Sequence, residues 1–196
     1  EHASQTTDED GAWKLPNAEE YYATRLKHYT TTDLTADEIH EIGLREVTRI
    51  QARTQEIMGR VSFEGSLQKF YDFLRTDPQF TYPNDEAGRT AYIADATAFI
   101  DAMRDELDGL FLTKPKADMV VKRVAPFREA TAFGAFYDSP ALDGSRPGTY
   151  YINLKDMADQ TIYLQQALAY HEGIPGHHMQ IAIAQELQGL PKFRTL

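Results

Sequence analysis

The sequence predicts an α+β protein, predominantly α-helical, with a small and mostly antiparallel sheet at about residues 119–154 beside a histidine-bearing helix. Three observations carry this expectation. Apolar residues recur at helical spacing through the first half of the chain. Past Lys114-Pro115 the pattern changes to short runs rich in β-branched and aromatic residues. Helical spacing returns after Asp159 and is interrupted once, by Gly173-Ile174-Pro175-Gly176.

The first fifteen residues are polar and acidic without periodicity and read as a flexible tail. Residues 16–196 read as one mainly helical domain, with a helical part at 16–113, the sheet at 117–155 and motif helices at 159–189. Asn17 is placed to cap a helix running to about Lys27, with Tyr21, Tyr22 and Leu26 on one face. Thr35-Ala36-Asp37-Glu38 has the form of a capping box. The long helix it opens carries Ile39, Ile42, Val47, Ile50 and Ile57 as its apolar stripe. Ser62 to Arg75 forms a shorter amphipathic pattern that ends before Asp77-Pro78. Glu86 to Leu107 repeats Tyr92, Ile93, Ala96, Ile100 and Met103 at helical spacing. The acidic cluster from Asp101 to Asp108 reads as a solvated helix end.

Met119 to Val124, Thr131 to Tyr137 and Thr149 to Leu154 supply the strands, divided by Pro126, Pro140 and the loop from Asp143 to Gly148. Asp159 or Thr161 caps the last helical region, which is apolar on most sides and therefore expected to be buried.

Composition narrows the function. With 30 acidic against 20 basic residues the formal charge is −10, which argues against a nucleic-acid or anionic-membrane surface. No apolar run reaches the roughly 20 residues that span a bilayer. The absence of cysteine excludes disulfides and thiolate metal sites.

The chemistry concentrates in Tyr170-His171-Glu172-Gly173-Ile174-Pro175-Gly176-His177-His178-Met179-Gln180. Neutral imidazole is the commonest protein ligand for zinc, and an adjacent carboxylate can accept a proton from activated water. In the familiar helical motif the two histidines lie four residues apart. Here His177 is six residues from His171 and His178 is seven. An unbroken helix would turn His177 roughly 240° away from His171 and set His178 about 10.5 Å along the axis. Pro175 cannot donate to a helix bond, and Gly173 and Gly176 admit unusual dihedrals. A bulge absorbing two residues would restore the interval of four and bring His171 and His177 together beside Glu172.

The segment HEGIPGHHMQ, with Thr149 to Leu154 before it and Leu190-Pro191-Lys192-Phe193-Arg194 after it, resembles the bacterial domain-of-unknown-function family 885. Thr30 to Thr35 and Leu142 to Gly148 are similar to that family too, so the resemblance spans nearly the whole chain. Family members are often described as lipoproteins or as uncharacterised proteins, and they look like distant relatives of zinc peptidases of the gluzincin type. The resemblance implies His171 and His177 as Zn ligands, Glu172 as general base, and a third ligand, a glutamate, beyond Leu196. On that expectation the chain is a gluzincin-like fragment, with the remainder of the parent polypeptide as its neighbour and exposed apolar surface available for self-association. His178 is the alternative ligand or a supporting group. An edge strand over the metal helix is implied as well, which makes Tyr150, Tyr151 and Asn153 candidate contacts for a peptide or small amide substrate; the alternative is an internal strand with no free edge. The competing expectation is a non-catalytic helical binding or scaffold domain with structural histidines.

Overall fold

A computed structural model describes Asp8 and residues 11–194. The tail expectation for residues 1–7, 9 and 10 lies outside the described residues, while Gly11–Lys14 forms a turn of 3-10 helix. Sequence reasoning placed residues 16–196 in one domain. The contacts divide the chain into two compact units, residues 1–70 and 71–196.

In the first unit α1 spans Ala18–Thr30 and α2 spans Ala36–Arg60. Asn17 stands before α1 as expected, but in a left-handed conformation and without a capping bond from its side chain. The capping box of α2 forms in full: the Thr35 hydroxyl accepts the Glu38 N–H, and the Glu38 carboxylate accepts the Thr35 N–H at 2.8 Å. Helix α2 ends where Ser62 turns left-handed (φ 54°) and the Phe63 N–H reaches back to the Met58 carbonyl. That closure delays α3, Leu67–Thr76, to five residues later than the expected Ser62. Among the residues of α2 only Met58 is buried, and the stripe of Ile42, Val47, Ile50 and Ile57 stays exposed.

The second unit holds the core. Asp85 caps α4, Glu86–Leu110, by accepting the Gly88 N–H at 2.8 Å. Strands β1 (Met119–Arg123), β2 (Ala135–Asp138) and β3 (Gly148–Ile152) form one sheet in the order β1-β3-β2. Strand β3 runs parallel to β1 and antiparallel to β2, so the sheet is mixed where a mostly antiparallel one was expected. The 24 residues between β1 and β3 return the chain to the same end of the sheet, as a parallel pair requires. Tyr92, Ala96, Ile100 and Leu107 of α4 pack with Met119, Tyr150, Ile152 and Leu154, and with Ala169, Ile174 and Met179 from the motif region. Complete burial of a side chain such as Ile152 or Leu154 contributes about 1.5–3 kcal/mol.

Helix α5, Ile162–Glu172, packs on α4, and α6 spans His177–Glu186. The expectation of a helix buried on most sides is corrected. Gln165, Ala169 and Glu172 are buried, whereas Ile162, Tyr163 and Leu164 are exposed, because α4 covers one face of α5 only.

Candidate active site

The helix that carries the histidines breaks after Glu172 and resumes at His177. The Gly176 N–H donates to the Tyr170 carbonyl at 2.9 Å, six residues back, and the His178 N–H donates to the Gly173 carbonyl at 3.1 Å. A regular helix bonds each N–H to the carbonyl four residues earlier. The six-residue bond therefore takes up two surplus residues, the bulge the spacing called for. The Ile174-Pro175 peptide within it is cis.

Two close approaches explain the glycines. A Cβ on Gly176 would lie 2.0 Å from the His171 carbonyl oxygen and 2.4 Å from that of Tyr170. A Cβ on Gly173 would meet the Ile100 side chain at 2.3 Å. Ile174 is buried in the core at 1% exposure and anchors the bulge from below.

The result brings His171 and His177 together, with ring centroids 4.7 Å apart and planes at 81°. Two imidazoles bound to one zinc at about 2.0–2.1 Å in tetrahedral geometry have ring centres roughly 5 Å apart. The centroid separation of His171 and His177 is close to that figure. Glu172 lies beside it, 93% buried. A cleft of about 340 Å³ joins Glu172 and His177 to Ala135, Phe136, Tyr137 and Ile181. Among the described residues no group of three or more His, Asp or Glu side chains is arranged to hold a metal.

His178 points away from the pair. It is wholly buried, its Nε2 lies 3.0 Å from the Ala117 carbonyl oxygen, and its Nδ1 lies 2.7 Å from the Tyr137 hydroxyl. Burial lowers its pKa, and the Ala117 carbonyl opposes that shift.

The expected substrate contacts lie elsewhere than at a surface edge. Strand β3 is central, so the edge beside the motif is β2. Tyr150 is wholly buried, with its side chain beside Tyr92 and Glu172. Burial raises its pKa, and the neighbouring Tyr92 and Glu172 add to the effect. Tyr151 stacks on Phe136 at 5.2 Å. Asn153 holds the preceding loop, donating to the carbonyls of Glu129 (2.8 Å) and Ala132 (3.1 Å) and accepting the Lys155 N–H.

The hydrogen-bond phase of β2 shows which groups turn away from β3. The Asn153 N–H donates to Gly134, and residues 136 and 138 pair with 151 and 149 in the same phase. Alternation then turns the N–H and C=O groups of Ala135 and Tyr137 away from β3, toward an edge that no described strand covers. Tyr137 was not singled out from sequence. No local signal reveals it, since its partner His178 is 41 residues away.

Comparison with known proteins agrees with this architecture. Residues 1–196 match the model of a family described as bacterial protein of unknown function, DUF885. The chain belongs to the DUF885 family. It is also similar to the crystal structure of a proposed lipoprotein from Colwellia psychrerythraea, at 34% identity and a TM-score of 0.90. That match covers 99% of this chain and 33% of the other, so the chain spans about a third of that protein's length. No curated protein matches it. No helix among the described residues is long and apolar enough to cross a membrane.

Proposed function

We propose that this DUF885 chain carries part of a zinc-dependent hydrolase site acting on peptide bonds. The observation that supports the reading best is the two-residue bulge, which sets His171 and His177 at a spacing suited to one ion with Glu172 alongside. Bound there, zinc would lower the pKa of a water towards 7 and polarise a carbonyl. Glu172 takes a proton from the attacking water and delivers it to the leaving amine. Its burial in the lining of the cleft limits competing solvent. The uncovered edge of β2 supports peptide as the substrate class, because the outward groups of Ala135 and Tyr137 can pair with an extended backbone.

Zinc sites of this type take three protein ligands, and we assign the third to polypeptide outside the described residues. The test uses a polypeptide of the relative's full length, assayed for zinc content and for cleavage of a peptide library with and without chelator. Stoichiometric zinc, with cleavage that chelator abolishes and zinc restores, is the expected outcome. A folded, metal-free polypeptide with no cleavage would favour the helical scaffold instead.

A further inference from the structure

The bond between Tyr137 and His178 lies on no path of the hydrolytic chemistry, yet it ties the peptide-facing strand to the helix that bears His177. Its polarity follows from the partners. The Ala117 carbonyl can only accept, so His178 Nε2, 3.0 Å away, carries the proton. In the neutral ring Nδ1 is then a bare acceptor, and the Tyr137 hydroxyl at 2.7 Å donates to it.

The fold leaves space for this contact. A Cβ on Gly148, the first residue of β3, would lie 2.2 Å from the Tyr137 hydroxyl and 2.6 Å from His178 Nδ1. Four segments therefore meet at one imidazole: β2 through Tyr137, the approach to β1 through Ala117, the start of β3 through Gly148, and α6 through His178 itself. Tyr137 is also one of the two residues whose backbone groups face the free edge. Its ring and its backbone are thus fixed together, through a histidine that follows His177 on α6.

We propose that His178 is a positioning residue which, as the Nε2–H tautomer, accepts the Tyr137 hydroxyl and so sets the height of the β2 edge above His177 and Glu172, where an extended peptide pairs. The proposal rests on the peptide-hydrolase reading for its purpose, but not for its test.

The test uses this chain labelled with ¹⁵N-histidine and the peptide acetyl-Val-Ala-Val-Ala-Val-Ala-amide as probe. Long-range ¹H–¹⁵N correlation should find His178 neutral and protonated at Nε2. In Tyr137→Phe the Nδ1 resonance should move toward that of a nitrogen without a donor. The dissociation constant of the peptide should rise about tenfold, the scale of one lost hydrogen bond, while the far-UV spectrum is unchanged. Gly148→Ala keeps both polar groups but forces them apart, and should weaken the peptide in the same direction. His178 protonated at Nδ1, unaltered peptide affinity in Tyr137→Phe, or no binding by the unaltered chain would each overturn the clamp. Absence of zinc-dependent cleavage in the longer polypeptide would sink the hydrolase reading alone, since tautomer and peptide affinity still decide the clamp.

Discussion

The amide of Gly176 bonds to the carbonyl of Tyr170 across six residues at 2.9 Å, and this bond decides where both imidazoles of the pair lie. Adding a methyl group to Gly176 would drive it to 2.0 Å from the His171 carbonyl oxygen, a backbone atom with no room to retreat. Gly176→Ala is expected to destabilise the second unit by about 2–4 kcal/mol, as strained core substitutions do. It should also weaken zinc binding. Gly109→Ala, in α4 with open space around the new methyl, should be neutral or gain up to about 1 kcal/mol. Urea unfolding of the two variants, with zinc titration of the first, checks the contrast.

Glu172 follows His171 directly and lines the cleft with His177. Replacing it by glutamine keeps the shape and removes the base. In Glu172→Gln, kcat for peptide cleavage should fall by about 10²–10⁴ with zinc content retained. His171→Ala or His177→Ala should lose the zinc itself. Parallel kinetics and metal analysis separate the two roles.

Asn153 serves the fold, holding the loop that leads into β2 through two donated bonds, while its side-chain oxygen accepts the Lys155 N–H. Asn153→Ala leaves the carbonyls of Glu129 and Ala132 without that donor and should cost about 1–3 kcal/mol in thermal or urea unfolding. Zinc affinity should not change. A loss of zinc affinity without a loss of stability would contradict this assignment.

The Arg123 guanidinium bonds Glu129 at 2.6 Å and holds its carboxyl below the ordinary glutamate range. Because the folded-state pKa is depressed, the stabilisation is complete above the unfolded-state value and disappears as pH falls through the folded one. Glu129→Gln should cost about 2 kcal/mol at neutral pH, since Glu129 is buried while Arg123 retains Glu86 as a second partner. It should also flatten the decline in urea midpoint between about pH 7 and pH 3.

The bulge could be inferred from sequence because its causes are local. Three helix-breaking residues stand between two histidines whose interval exceeds a helical turn by two. The capping box was readable for the same reason. Strand order was not. The run from Thr149 to Ile152 reads alike in a central and in an edge strand, and only its pairing with both β1 and β2 makes it central. The exposed face of α5 was misjudged because periodicity marks an apolar stripe without naming what covers it. The Tyr137–His178 contact depends on a 41-residue separation closed by the sheet, which no local pattern encodes.

The two-residue excursion between Glu172 and His177 also bears on how such sites are found. A scan that counts a fixed interval between histidines passes over this chain, because the interval that matters is measured in helical turns. Any insertion whose ends can be sewn together by one main-chain bond, as those of this one are, leaves the ring geometry intact while erasing the textual signature. Related centres hidden in other chains are better sought as a histidine and acid followed by a short glycine–proline detour than as a string of set length.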